Sequence, residues 1–212
     1  MKRILEIEIM SDINQCLAYS KGDFSDSNGK FIDYITGSVS KPSNVLDIGT
    51  GPGDVAIELS NIYPASEFLA IDGSAAMIEI AKSKMSNHKF NNIQFVECNL
   101  YDLELKNKFD LVLSKDTLHH IVAPISFINK IISLCSKGSR VLIMDLIRPK
   151  TVLECKKIVD EFNLDPILKK DFMHSLYAGF EINEVSELLT SFSLKFNTIR
   201  IGVRHFLCDI TI

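Results

Sequence analysis

No stretch of the sequence approaches the ~18 uninterrupted apolar residues that a membrane-crossing helix needs, so no membrane span is expected. The first ten residues, MKRILEIEIM, carry Glu6 and Glu8 inside their apolar part, which argues against a secretory leader. Cysteine is sparse and unpatterned. Cys16, Cys98, Cys135, Cys155 and Cys208 are an odd, scattered set with no CxxC pair, which fits small core residues with reduced thiols in a cytoplasm rather than a disulfide framework. Positive charge is not in excess. Lys and Arg number 23 against 27 Asp and Glu, a formal charge of −4, and this disfavours a nucleic-acid partner, which calls for a basic face. No repeat, low-complexity tract or linker divides the chain. The five histidines show no metal-ligand spacing, so no metal is expected. His88, in SNHKFNN, reads as an exposed loop residue.

What is present is an ordinary globular balance, 46% apolar and 24% charged over 212 residues. A chain of this length buries roughly 70% of its unfolded surface, enough for a full core, and reads as one domain, 1–212. Residues 1–40 look like a helical cap, with apolar residues at helical spacing in Gln15–Tyr19 and Lys30–Ile35 and a polar, turn-rich run Lys21–Gly29 between them. Residues 41–149 alternate strands with helices. Strands are expected at Val45–Ile48, Glu67–Ile71, Ile93–Val96, Phe109–Leu113 and Val141–Leu146, and helices at Asp54–Ile62, Ala75–Met85 (N-capped by Ser74) and Pro124–Cys135. Residues 150–180 read as a helical lid insertion broken at Pro166. Residues 181–212 close the chain with a helix, Ile182–Thr190, and strands Leu194–Ile199 and His205–Ile212 around Gly202. This alternation implies a doubly wound α/β sheet, mostly parallel, with an antiparallel C-terminal hairpin.

The strongest local signal is VLDIGTGPGD, Val45 to Asp54, where Gly49, Gly51 and Gly53 sit between a strand and a helix. Glycines there allow a tight turn and close approach of a ligand to the backbone. The spacing is GxGxG rather than the GxGxxG of dinucleotide sites. Asp47 and Asp54 bracket the loop, and an anion at that helix start would repel a pyrophosphate, so a cationic ligand without phosphate suits it better. Asp72 ends the next strand about 20 residues on, where a carboxylate can accept ribose hydroxyls.

Together these residues resemble the class I S-adenosylmethionine-dependent methyltransferases. VLDIGTGPG is similar to their first motif and Asp72 in FLAIDGS to their second. IQFVECNLYDLEL resembles the third, with Cys98-Asn99-Leu100 where Gly-Asp-Ala is usual. FDLVLSKDTLHHI and SKGSRVLIMDLIRP resemble the fourth and fifth strands. The resemblance covers residues 40–150 and the closing hairpin. It implies a Rossmann-like fold, S-adenosylmethionine as cofactor and S-adenosylhomocysteine (SAH) as product. It also implies roles by position. Asp47, Gly49, Thr50, Gly51 and Gly53 would line the methionine moiety. Asp72 would hold the ribose, with Gly73, Ser74 and Met77 beside the adenosine. Asn99 and Leu100 would contact adenine, Ser114 and Lys115 would flank the sulfonium, and Tyr19 would close over the methionine tail.

Methyl transfer is an in-line displacement, so the protein must align the acceptor and exclude water, with a base only where the nucleophile arrives protonated. Strand direction brings Asp116, His119, Asp145, Arg148, Arg204 and His205 to one rim. His205, Asp145, His119 and Asp116 are the candidate catalytic groups. Arg148, Arg204 and His174 are candidates for holding substrate, the arginines matching a carboxylate or phosphate. Adjacent His119 and His120 cannot share a helix face, so one of them is expected to be structural. The expected substrate is a small, anionic polar metabolite. A protein partner, with the chain as a cofactor-binding subunit, is left open, and the loop spacing and Asp54 disfavour a nicotinamide oxidoreductase.

Overall fold

The computed structural model describes residues 1–6, 10–86, 91–105, 107–162, 164 and 166–212, with Ile167 described in its backbone alone. His88 lies outside the described residues. Seven strands, β1 (Asn44–Ile48), β2 (Glu67–Asp72), β3 (Ile93–Glu97), β4 (Phe109–Lys115), β5 (Cys135–Leu146), β6 (Lys195–Ile201) and β7 (His205–Thr211), form one sheet in the order β3-β2-β1-β4-β5-β7-β6. The pairs from β3 through β5 are parallel. β7 runs antiparallel between β5 and β6, as the short turn joining the last two strands requires.

Helices cover both faces. One apolar cluster joins Leu46, Val112, Val141 and Phe206 to Phe127, Ile128 and Ile131 of α5 (Pro124–Leu134) and to Val185 and Leu189 of α8 (Ile182–Thr190). On the other face Val45, Leu111, Leu142 and Leu207 pack against α2 (Ser25–Ser38), α3 (Asp54–Ile62) and α4 (Ala75–Met85). Alternate residues of each central strand thus enter opposite cores, which explains their nearly unbroken apolar runs. A third cluster ties α6 (Val152–Asp160) and α7 (Pro166–Ala178) to the end of β5 through Leu146, Cys155 and Leu176. α1 (Ile13–Ser20) packs on α4 and α7. Among the described residues no helix is long and apolar enough to cross a membrane.

Two boundaries differ from the expectation. α2 begins at Ser25, inside the run read as a turn, because Asp23 accepts the Ser25 amide at 3.0 Å and Lys30 pairs with Asp26 at 2.7 Å one turn apart. β5 begins at Cys135 rather than Val141. Its early part pairs Phe109 with Cys135 before a register shift, and Gly138 (φ +86°) and the Ser139 hydroxyl, bonded to the Phe109 carbonyl at 2.7 Å, absorb the irregularity.

Candidate functional site

The glycine loop leaves β1 at the carboxyl edge and turns into α3. Its three glycines have positive φ (+70°, +54° and +81°) but different surroundings. A Cβ on Gly49 would strike Thr117, and one on Gly53 would strike Ala81 and the Phe95 ring at 2.9 Å; Gly51 faces open space, with nothing within 4 Å. Two of the glycines therefore serve close packing, and the third leaves room for a ligand. Asp72 closes the loop from β2: its two oxygens accept the Gly51 and Ser74 amides, both at 2.8 Å. Burial raises its carboxyl above the ordinary value, against the pull of those two N–H groups. Ser74 caps α4 by accepting the Met77 amide at 3.2 Å, and Gly73 lies between the two. Met77 is buried.

Asp47 ends under the loop, 4% exposed. Burial pushes its carboxyl up to about 6, and Asp72 adds to the shift. Asn99 sits past β3 with an exposed side chain whose Oδ1 accepts the Tyr101 amide at 3.0 Å, while Leu100 turns into the core. Ser114, level with Ile48 near the end of β4, is fully buried, and its hydroxyl has no hydrogen-bond partner among the described residues. Tyr19 comes over from α1. Burial raises its phenol, and the carboxylates of Asp116, Asp54 and Asp72 raise it further, which places it among the acids of the loop mouth. Its ring packs on Phe24, centroids 4.6 Å apart.

The rim residues, expected to share one pocket, separate into two groups. In the first, Lys115 pairs with Asp116, whose other oxygen meets His205 Nε2 at 3.1 Å. Asp116 holds φ at +52°, a left-handed conformation that costs a non-glycine residue about 1 kcal/mol. The Lys115 ammonium and His205 overcome burial and hold its carboxyl well below the usual carboxylate range. Beside them, the Arg204 guanidinium lies over the Phe162 ring at 4.1 Å and the Phe172 ring at 5.1 Å, and among the described residues it makes no ion pair. Arg204 and His205 line a solvent-open cleft with Asp26, Lys30, Glu161 and Phe162.

The second group lies away from that cleft. Asp145 is fully buried rather than at the rim. It accepts His119 Nδ1–H at 2.7 Å, the His119 amide at 3.3 Å and the Leu146 amide at 2.6 Å. His119 is equally buried; its carboxylate partner raises its pKa over the opposing effect of burial. His120 stacks on His119 with centroids 4.0 Å apart, and burial pushes it down to about 4.

Arg148 and His174 correct the expectation for substrate-holding residues. Arg148 is 4% exposed, and its N–H groups are taken by Met1 O (2.9 Å), Gly179 O (3.0 Å), Glu181 (3.1 Å) and both oxygens of Glu184 (2.7 and 3.0 Å). No donor remains for a substrate. His174, on α7 and nearly half exposed, has its Nδ1 4.0 Å from Glu6 Oε1. Sequence reasoning missed Phe162 and Glu6, which carry no local motif.

Comparison with known proteins agrees with this geometry. A family profile described as a methyltransferase domain matches residues 40–191. A release factor glutamine methyltransferase of Xylella fastidiosa is 40% identical over 70 residues, 33% of this chain and 26% of that protein. A demethylmenaquinone methyltransferase of Lactococcus lactis is 29% identical over 136 residues, 63% of this chain and 54% of that protein. The chain thus spans about a quarter to a half of the length of these relatives. Among solved structures, a plantazolicin methyltransferase in complex with a substrate analogue and SAH superposes with a TM-score of 0.75 at 15% identity, over 94% of this chain and 89% of that one. A SAM-dependent methyltransferase from Aquifex aeolicus gives 0.73 at 17%, over 95% and 98%. At these identities the likeness shows the fold. The profile spans well over half the chain, and the chain belongs to this methyltransferase-domain family, whose class I, S-adenosylmethionine-dependent members its motifs resemble.

Proposed function

We propose that the chain methylates a small, anionic metabolite, using S-adenosylmethionine bound at the glycine loop. The residues present suit that cofactor. Gly51 leaves open space where a side chain would stand, and buried Ser114 offers an unpartnered hydroxyl at the neighbouring strand end. Asp47 favours a cationic ligand, whereas Asp54 is already paired with Lys84 at 2.6 Å. In this reading Asp72 holds the ribose with its remaining lone pairs, and Gly73, Ser74 and Met77 flank the adenosine. Asn99 and Leu100 border adenine, Asp47, Gly49 and Thr50 border the methionine end, and Tyr19 closes the mouth. The bound cofactor supplies a methyl group already activated by a sulfonium.

The observation that carries the substrate class is Arg204. A half-buried guanidinium that lies over two phenyl rings and makes no ion pair among the described residues is held ready for an anion. It adjoins His205, and the two line one cleft that is open to solvent. His205 donates an Nε2–H hydrogen bond to the ionised Asp116, and in this tautomer Nδ1 carries the lone pair that takes a proton from the acceptor. Lys115 balances the charge of Asp116. Tyr19 and Phe24 from the N-terminal helices and Phe162 and Phe172 from the later ones border the site and help to exclude water.

The test is SAH release with a panel of small carboxylates and phosphates, each beside its neutral amide or ester. The charged members are expected to be methylated in preference. Arg204→Ala is expected to raise KM for them at least tenfold, about 1.4 kcal/mol, with SAH affinity unchanged. Equal turnover of the neutral partners, or an unchanged KM in the variant, would contradict the assignment.

A further inference from the structure

Outside the cleft, the structure gathers two imidazoles and a carboxylate that the function proposed above leaves without a role. The ligand atoms of Glu6, His119 and His120 all lie within 4.8 Å of one another. They come from the N-terminal segment and from the short helix Leu118–His120 after β4. Each is held by a neighbour. Asp145 accepts the Nδ1 proton of His119 at 2.7 Å, and the Glu6 carbonyl accepts that of His120 at 3.2 Å. His119 is thereby set in the tautomer that leaves Nε2 with its lone pair, and His120 approaches Glu6 Oε2 through Nδ1, at 3.9 Å. Ser175 donates to Glu6 Oε2 at 2.9 Å. Arg3 donates to the His119 carbonyl at 2.9 Å and lies over the Phe180 ring at 4.0 Å, so this nearby cation is bound to other partners.

We propose that Glu6, His119 and His120 bind a divalent transition-metal ion, with Asp145 as the carboxylate that orients His119. Two imidazoles and one carboxylate suit zinc, iron, nickel or cobalt rather than magnesium or calcium. A carboxylate behind a ligating histidine is the usual supporting partner of such a centre. Glu6 and Asp145 together match the charge of a divalent ion. A bound ion would draw the three ligand atoms to about 3.4 Å from one another, a contraction that side-chain rotation covers. His120 is 33% exposed and Glu6 10%, against 3% for His119, so the centre opens to solvent on one side. Three protein ligands with an open position form a site that keeps water or a substrate oxygen on the metal. The ion would also clasp the N-terminal segment onto the carboxyl edge of the sheet.

The test uses the untagged full chain and Co²⁺, read by its visible absorption and by calorimetry. One equivalent is expected to bind with a dissociation constant in the micromolar range or below, with d–d bands and no thiolate charge-transfer band. Glu6→Gln and His120→Ala are expected to weaken binding at least tenfold. Asp145→Asn, which keeps the shape but not the charge, is expected to weaken it about 10- to 100-fold, while His205→Ala leaves it unchanged. Far-UV circular dichroism and melting of the metal-free variants show that each is folded. Absence of saturable binding by the wild type would overturn the proposal. So would a thiolate band, which would assign the ion to cysteine, or affinity that Glu6→Gln and His120→Ala leave intact. Because the readout is metal binding, it stands apart from whether methyl transfer is detected.

Discussion

Asp47 carries a cost that its ligand would relieve. In the unfolded chain its carboxyl ionises near 3.8, whereas in the folded protein burial delays this to about 6. The folded state therefore holds the extra proton between these values, and stability falls as pH rises through that window. The cost is absent below about pH 4, complete above about pH 6, and amounts to about 3 kcal/mol at most. Asp47→Asn is accordingly expected to raise the melting temperature at pH 8 but not at pH 4, while weakening SAH binding; a difference independent of pH would contradict the burial argument. The two rim arginines show how far single residues can be read from sequence. Arg148 and Arg204 occupy equivalent strand ends, and nothing local separates them. Glu181 and Glu184, which take up Arg148, stand 33 and 36 residues away in the chain, and the phenyl rings that hold Arg204 come from the insertion. Arg148→Ala removes a buried cation whose carboxylate partners, Glu181 and Glu184, are nearly half exposed, and is expected to cost about 1–3 kcal/mol in urea unfolding, without changing the acceptor KM.

At the scale of elements, the glycine loop divides its tasks. Gly53→Ala meets Ala81 and Phe95 at 2.9 Å with φ at +81°, and is expected to destabilise the fold by roughly 2–3 kcal/mol. Gly51→Ala meets nothing within 4 Å. Its expected stability cost is about 1 kcal/mol, but the added methyl enters the ligand space, so SAH affinity falls more than tenfold. Denaturant unfolding and calorimetry on the pair would show the separation, and equal effects on both quantities would contradict it. The strands and most helices were legible because their signals are local: β-branched runs, the Ser74 cap and the prolines at 124 and 166. The start of α2 was not, since its first turn is polar and helical only through Asp23 and the Asp26–Lys30 pair. The early part of β5 was hidden likewise, because its pairing depends on a register shift against Phe109.

At the scale of the molecule, strand order decides which residues can meet. Placing β1 beside β4 sets Ile48 level with Ser114, and inserting β7 beside β5 sets His205 level with Leu146. The glycine loop, Asp116, His205 and Arg204 thus share one edge, although they span more than 150 residues of sequence. Direction alone foretold that edge. It could not foretell that the N-terminal segment would cross it and seal Asp145 and His119 beneath Arg3 and Glu6, because such a crossing has no periodicity to read. The cofactor site at this edge underlies everything else proposed for the chain, and calorimetric titration with SAH, wild type beside Asp72→Ala, tests it most directly. Micromolar binding, weakened at least tenfold (about 1.4 kcal/mol) when Asp72 no longer meets the loop and the ribose, is the expected result. A wild type that does not bind SAH, or a variant that binds it equally well, would contradict the account.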